Sequence, residues 1–123
     1  MKIPIESLTI NPVRARLVLY YMGVVANKGK GILFVLGGVV VIGGLLLSLF
    51  DGMSIPDGQY LAFVTATTIG YGDLSPETWG ARIVAGIIGI NGLLLTGIVV
   101  AFSVKALELA FKAEQRLENA KTD

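Results

Sequence analysis

Two stretches long enough to span a membrane contain no charged side chain, residues 31–50 and residues 83–104. Because an α-helix rises about 1.5 Å per residue, each stretch would reach roughly 30 Å, the thickness of the hydrocarbon core of a bilayer. Uncharged runs of this length are typical of membrane-spanning helices, and a pair of buried helices in a soluble protein is the alternative. The pattern therefore predicts two transmembrane helices.

The basic residues lie mainly near the two ends of the chain. They flank the two uncharged stretches, whereas Arg82 is the only basic residue between them. Four acidic residues share this central segment: Asp51, Asp57, Asp73 and Glu77. Because basic residues are retained on the cytoplasmic side, we expect both termini in the cytoplasm, the central segment outside, and the chain in the cell membrane.

A shorter apolar stretch, residues 17–26, precedes the first predicted span. Asn11 and Pro12 form a good helix start, but about 10 residues are too few to cross a bilayer. Since basic residues flank this stretch, we expect residues 1–30 to form a helix that lies along the cytoplasmic face of the membrane. A third span is the alternative, and it would place basic residues on the wrong side.

The tail, residues 105–123, continues the helical spacing of apolar residues beyond the second span. Glu108 and Lys112 are four residues apart, which favours an ion pair on a helix surface. We expect a cytoplasmic helical tail, either a solvated extension of the second span or part of a short bundle of four tails.

The composition excludes several classes of function. The 123-residue chain is 54% hydrophobic and 15% charged, and it contains no cysteine and no histidine. Disulfide frameworks, the usual zinc and haem-histidine sites, and cysteine- or histidine-based catalysis are therefore excluded. A net charge of +1 without a basic stripe gives no reason to expect a nucleic-acid partner. We expect neither a cleaved signal peptide nor an enzyme activity.

The central segment, residues 51–82, is too long for a simple turn between two spans. Ser54 and Asp57 have the spacing of a helix cap, and Pro56 suits the first turn. We therefore predict a short helix over residues 57–67, too short to span, that re-enters the membrane from outside. Irregular backbone after it is tolerated at that depth only where it is buried in protein or lines a water-filled cavity.

The sequence that follows is Thr-Ala-Thr-Thr-Ile-Gly-Tyr-Gly-Asp, residues 65–73. It resembles the selectivity filter of potassium channels, and residues 31–104, most strongly residues 60–97, are similar to the two-transmembrane bacterial potassium channels. The resemblance implies an all-α membrane protein in which two transmembrane helices flank a re-entrant pore helix and a selectivity filter at residues 68–73. It also implies a tetrameric pore, a homotetramer in the lipid bilayer that conducts K⁺ passively, with no organic cofactor.

By the same resemblance, the ligands of K⁺ are the Thr68 hydroxyl and four main-chain carbonyls, those of Thr68, Ile69, Gly70 and Tyr71. An ion that passes selectively must exchange its water for other oxygens, which uncharged carbonyls supply. Carbonyls that point the same way require alternating backbone conformations, some with φ above zero, and Gly70 and Gly72 adopt these without a Cβ clash. Read alone, Gly-Tyr-Gly-Asp also fits a glycine-rich turn or a phosphate loop, but the lysine of a P-loop is missing.

Five residues are expected to support the filter: Thr67, Gly72, Asp73, Tyr60 and Val64. Val64 stands where some bacterial relatives carry a glutamate that pairs with the filter aspartate, so that pair is absent here. Tyr60 has the spacing from Asp73 that in the family places an aromatic donor against the aspartate. We expect a hydrogen bond from the Tyr60 hydroxyl to the Asp73 carboxylate, and an interfacial aromatic is the alternative for Tyr60.

Gly92 matches the hinge glycine of the family's inner helix, and a packing glycine is the alternative. We expect Asn91 to bond toward the re-entrant helix rather than to face the ions. One face of the second span is expected to line a cavity and an inner gate: Leu93, Thr96, Val100 and Val104.

Three other functions compete with a potassium channel. They are a weakly selective cation channel of the same fold, a potassium transporter subunit, and a non-conducting membrane interaction protein. The complete Ile-Gly-Tyr-Gly run argues against the first, and the single pore copy argues against the second. The gating stimulus is left open between protons, membrane tension, anionic lipid or none, and a pore excised from a longer channel fits the sequence equally well.

Overall fold

The computed structural model describes residues 12–122, and this part of the chain contains three α-helices and no strand. Helix α1 covers Pro12–Asp51, α2 covers Ile55–Ala66 and α3 covers Trp79–Thr122. Both α1 and α3 are long and apolar enough to cross a membrane, whereas α2 has only 12 residues. The structure therefore confirms the predicted all-α class, with two long apolar helices on either side of a short one.

Helix α2 begins at the predicted cap. The Ser54 hydroxyl oxygen accepts a hydrogen bond from the Asp57 amide at 3.2 Å, and the hydroxyl donates to the Asp57 carboxylate at 2.7 Å. With Pro56 in the first turn, the helix starts at Ile55, two residues earlier than expected. Thr67 ends it as the C-cap, and the Thr67 amide donates to the Phe63 carbonyl at 2.9 Å.

One helix, α1, includes both residues 12–30 of the predicted N-terminal helix and the first predicted span. The expected position of residues 1–30 along the cytoplasmic face stays a prediction. Helix α1 is continuous through residue 30, because no proline follows Pro12 within it and each added residue of a formed helix gains a hydrogen bond. Asn11 and the rest of residues 1–11 lie outside the described residues, so the cap at Asn11 stays a prediction. Similarly, α3 starts four residues before the predicted 83 and continues without interruption into the tail.

The described chain divides into two compact units. Residues 30–99 form the first, in which α2 packs between the neighbouring parts of α1 and α3. Its core consists of seven buried apolar residues: Leu47, Leu61, Ala62, Val64, Ala66, Ala81 and Ile88. Three of the seven are alanines, small residues that let backbones approach closely.

Glycines set the distance between α1 and α2. A Cβ added at Gly58 would collide with the Ser48 hydroxyl, and one added at Gly44 would lie 2.6 Å from the Gln59 side-chain nitrogen. The Ser48 hydroxyl donates to the Gly44 carbonyl at 3.0 Å, and Gln59 donates to the Val41 carbonyl at 2.8 Å. Small residues and interhelical hydrogen bonds are the two means by which helices pack in lipid.

The second unit pairs the N-terminal part of α1 with the C-terminal part of α3 in an antiparallel arrangement. Arg14 donates to the two Glu114 carboxylate oxygens from Nε at 2.8 Å and from one Nη at 3.1 Å. Its guanidinium carbon lies 5.4 Å from the centroid of the Phe111 ring. At the other end of this pair, Gly29 lies directly under the Phe102 ring. The sequence did not predict this pairing.

The C-terminal part of α3 also contains the predicted surface ion pair. Lys112 donates to Glu108 at 2.6 Å, and Lys105 binds the same carboxylate at 3.0 Å. These exposed pairs contribute little to stability, because solvent screens them.

We expect Gly58→Ala to destabilise the protein by about 1–3 kcal/mol, because the new methyl group overpacks the contact with Ser48. Gly37→Ala is the matched control in α1, where a Cβ meets nothing within 4 Å. That change should be neutral or stabilising by up to about 1 kcal/mol. Thermal unfolding in detergent, followed by circular dichroism, measures both, and equal midpoints for the two variants would contradict the packing account.

Candidate functional site

The segment after α2 alternates between residues with positive and with negative φ. Thr68, Gly70 and Gly72 have φ values of 59°, 56° and 78°, and the residues between them have no positive φ. The predicted positive φ at Gly70 and Gly72 is confirmed. Thr68 was not foreseen, because a non-glycine residue in this region costs about 1–2 kcal/mol and must be held there by its surroundings.

Two main-chain carbonyls of α2 hold the inner half of this segment, and that of Thr65 accepts from the Thr68 amide at 3.1 Å. The Val64 carbonyl accepts hydrogen bonds from the amides of Ile69 at 3.0 Å and Gly70 at 3.2 Å. In a trans peptide the N–H points opposite to the carbonyl of the preceding residue, and the described chain has no cis peptide. The carbonyls of Thr68 and Ile69 therefore point away from α2.

The segment thus offers a cation uncharged oxygens and little else. Among the described residues, no cluster of three or more acidic side chains could hold a metal ion, and the chain has no histidine or cysteine. Alternating backbone of this kind turns successive amides to one side, as in the anion-binding nests, and leaves the carbonyls on the other side.

At the outer end of the segment, the Tyr60 hydroxyl donates to the Asp73 carboxylate at 2.8 Å. The expected hydrogen bond is therefore confirmed. It raises the pKa of the Tyr60 phenol, first because the bond to the carboxylate favours the protonated form and second through desolvation. Val64, 3% exposed, contributes its carbonyl and an apolar side chain.

Gly92 lies directly against the last turn of α2. A Cβ at this position would collide with the main chain of Ala66, in the last turn of α2, and α3 continues through Gly92 without a break. This contact requires a glycine whether or not the helix bends there. A hinge at Gly92 stays a prediction.

The expected partner of Asn91 was wrong. Its side-chain nitrogen donates to the Leu36 carbonyl of α1 at 2.9 Å, and the residue is 7% exposed. The physical reason is the helical period: Gly92 takes the side of α3 that faces α2, so the residue before it is turned toward α1.

The predicted cavity-lining side chains are all exposed in the single chain. This set comprises Leu93, Thr96, Val100 and Val104. Their exposure leaves this face of α3 available for contact with water or with other chains.

Comparison with known proteins adds a family and several relatives. A sequence profile described as "Ion channel" matches residues 32–108, more than half of the chain. The Potassium voltage-gated channel protein Shal of Drosophila melanogaster is 35% identical over 68 residues, 55% of this chain and 12% of that protein. Potassium voltage-gated channel subfamily A member 10 of Gallus gallus is 40% identical over 65 residues, 53% of this chain and 13% of that protein.

A human relative matches a stretch of similar length. Potassium voltage-gated channel subfamily A member 7 of Homo sapiens is 37% identical over 67 residues, 54% of this chain and 15% of that protein. The chain therefore spans no more than 15% of the length of these three curated relatives.

We expect Tyr60→Phe to loosen the outer end of the segment, because it removes the hydrogen bond to Asp73, a loss of about 1 kcal/mol. Amide hydrogen exchange of residues 71–73 should accelerate about fivefold. Tyr20→Phe, which changes a tyrosine that is 66% exposed on α1, is the control. Unchanged exchange in Tyr60→Phe would show that the bond does not hold the segment.

We expect Gly92→Ala to lower stability by about 1–3 kcal/mol, because the methyl group pushes α3 away from Ala66. In Gly97→Ala, on the same helix, the new Cβ meets nothing within 4 Å and stability should be retained. Thermal unfolding in detergent compares the two. If Gly92→Ala is as stable as Gly97→Ala, the glycine is needed for bending rather than for packing.

Proposed function

Because the chain belongs to the Ion channel family, we propose that it forms a potassium-selective pore through which K⁺ moves passively down its electrochemical gradient. The ligands of the ion are the carbonyls of Thr68, Ile69, Gly70 and Tyr71 together with the Thr68 hydroxyl. No covalent chemistry takes part, and K⁺ is the cargo of the pore rather than a resident cofactor.

The observation that carries the proposal is the alternating backbone at Thr68, Gly70 and Gly72, anchored on the Val64 carbonyl. It turns the carbonyls of Thr68 and Ile69 away from α2. Carbonyl oxygens of this kind replace the hydration shell of K⁺ at no net charge, and a conducting pore needs sites that bind weakly enough to release the ion. The relatives named as potassium channels support K⁺ as the ion.

A homotetramer would complete the pore, since one chain contributes one strand of carbonyls and cyclic symmetry closes four strands into a ring. The exposure of large side chains beside the strand supports this: Ile69 is 47% exposed and Tyr71 is 70% exposed. Exposed apolar surface of this kind marks a contact with other chains or with lipid. Thr67, Gly72, Asp73, Tyr60 and Val64 would hold each strand in place.

The chain would lie in the cell membrane with α1 and α3 spanning it, both termini in the cytoplasm, and α2 entering from outside. The distribution of basic residues supports this orientation. The carboxyl end of α2 carries a partial negative charge, which would favour a cation in the cavity beneath the filter.

The inner face of α3 would form the cavity and the gate. Leu93 and Thr96 would line the cavity, and Val100 and Val104 would close by dewetting when four such faces approach. Gly92 would permit the bend that moves them, although its contact with Ala66 already accounts for a glycine.

Protons are one of the candidate gating stimuli. The carboxylates of the tail, residues 105–123, are not equally suited to bind a proton near neutral pH. Hydrogen bonds from Lys112 and Lys105 lower the pKa of Glu108 to about 2, so that this side chain stays ionised in the neutral range. Glu114 is held by Arg14 in a two-point ion pair. Glu108 is therefore not the group that a proton stimulus near neutral pH would act on.

Reconstitution in planar bilayers tests the proposal. With K⁺ at different concentrations on the two sides and Na⁺ as the balancing cation, we expect a reversal potential close to the K⁺ equilibrium value. Gly70→Ala should abolish the current, because alanine does not adopt the left-handed backbone of Gly70 without strain. Gly23→Ala, where a Cβ meets nothing within 4 Å, should conduct as the wild type does.

The competing functions predict other results. Comparable Na⁺ and K⁺ permeability would identify a weakly selective cation channel. A folded protein that passes no ions, with Gly70→Ala unchanged in every property, would identify a membrane interaction protein. Liposome flux with valinomycin as the positive control separates an inactive protein from leaky or closed vesicles.

A further inference from the structure

Asn91 carries the only amide side chain in the uncharged stretch 83–104. It is buried, and its side-chain nitrogen donates to the main-chain carbonyl of Leu36 in α1 at 2.9 Å. An amide removed from water costs free energy unless it is hydrogen-bonded, and the hydrocarbon core of a bilayer offers it no partner. The bond to α1 therefore explains how an amide is accommodated at this depth.

The acceptor of this bond is a main-chain atom in the middle of α1. Within a helix, the carbonyl of Leu36 is also the acceptor for the amide four residues later. A carbonyl oxygen has two lone pairs, so it can accept both hydrogen bonds. The bond from Asn91 thus joins α3 to α1 while α1 continues as an uninterrupted helix.

Asn91 lies where α3 leaves the other helices of the unit formed by residues 30–99. One turn earlier, the buried Ile88 side chain packs against Gly43 of α1, where an added Cβ would lie 2.6 Å from the Ile88 Cδ1 atom. Asn91 and Gly92 are buried as well, whereas residues 93–99 are all exposed or half-buried. The buried contacts of α3 within this unit therefore end at Gly92.

The three buried contacts differ in how strictly they hold α3. The packing of Ile88 on Gly43 and of Gly92 on Ala66 is apolar contact, which tolerates sliding and rotation. A hydrogen bond weakens steeply when its donor and acceptor lose alignment. The bond from Asn91 therefore restricts both the rotation of α3 and its position along α1.

We propose that Asn91 is a positioning residue that fixes the pivot of α3, an inference that rests on the proposed function. Its bond keeps α3 docked on α1 down to Asn91. The movement that opens or closes the inner gate is confined to the part after Gly92, which carries Val100 and Val104. Without the bond, the pivot moves one turn earlier, to Ile88, which is the preceding buried contact with α1.

Distances between two spin labels within one chain test this inference in the full-length protein reconstituted in liposomes. The chain contains no cysteine, so introduced cysteines are the only labelled positions. Leu49→Cys places a reference label at an exposed site on α1. The second label is at Ile87→Cys, before Asn91, or at Val99→Cys, after it, and both sites are exposed. Labelled chains are diluted with unlabelled ones, so that each distance lies within one chain.

In the wild type we expect a narrow distribution for the 49–87 distance and a broad one for the 49–99 distance. Asn91→Leu has no donor, and the share of chains outside the main 49–87 distance should rise about threefold, the usual effect of one hydrogen bond between membrane helices. Asn91→Gln keeps an amide donor and should restore the narrow distribution. If Asn91→Leu fails to assemble, Asn91→Ala removes the amide without overpacking the site.

Gln59→Leu is the matched control. The Gln59 side chain donates to the Val41 carbonyl at 2.8 Å, so this change also removes an amide bond to the main chain of α1, but from α2 instead of α3. It should lower the thermal midpoint as Asn91→Leu does and leave the 49–87 distance unchanged. The comparison separates the fixing of α3 from general stabilisation.

Single-channel recording in planar bilayers connects the bond to gating. In Asn91→Leu we expect transitions between open and closed levels to become about threefold more frequent, because α3 gains a second point at which it can pivot. The reversal potential should stay at its wild-type value, since the residues of the filter, 68–73, are unchanged.

Four results would overturn the inference. They are an unchanged 49–87 distance in Asn91→Leu, an equal broadening in Gln59→Leu, an Asn91→Gln variant that behaves like Asn91→Leu, and an unchanged frequency of transitions. In each case the wild type would still carry a K⁺-selective current. A wild type that fails to conduct K⁺ selectively would instead remove the proposed function, and the distances would still report whether the bond fixes α3 on α1.

Discussion

The alternating backbone of residues 68–72 is the constraint on which the rest of the unit depends. Its left-handed positions include Thr68, which bears a side chain and so costs about 1–2 kcal/mol there. Its carbonyls that point away from α2 accept no hydrogen bond from the described part of the same chain. Such a segment keeps its conformation only if its amides are satisfied elsewhere, and the Val64 carbonyl supplies that partner for two of them. In the proposed function, the permeant ion binds the carbonyls that point away from α2.

The packing of α2 against α1 and α3 fixes the position of the Val64 carbonyl. Gly58 and Gly44 let α1 and α2 approach until Gln59 bonds across the contact, and Gly92 admits the last turn of α2 against α3. Lipid offers no hydrophobic force to press helices together, so close backbone contact and hydrogen bonds must do it. The tight packing around α2 therefore holds the Val64 carbonyl where it can stabilise the strained segment.

The sequence predicts what depends on neighbouring residues and misses what depends on distant ones. The cap at Ser54 and the left-handed glycines follow from local stereochemistry, and the Tyr60 bond follows from a family spacing. The bond from Asn91 to the Leu36 carbonyl and the pairing of Arg14 with Glu114 join residues far apart in the chain, and no local pattern announces them. The continuity of α1 was missed for another reason: charge and hydropathy report where a helix meets water, not where its backbone ends.

The support at Val64 is a main-chain atom, and every amino acid carries it. Systematic replacement of side chains would therefore pass over position 64 as tolerant, provided that the substitute stays apolar enough for its buried site. The dependence would emerge only from chemistry that alters the backbone itself, such as an ester in place of the amide at Ile69 or Gly70. Sequence variation at position 64 is for the same reason a poor guide to how much the neighbouring strand relies on it.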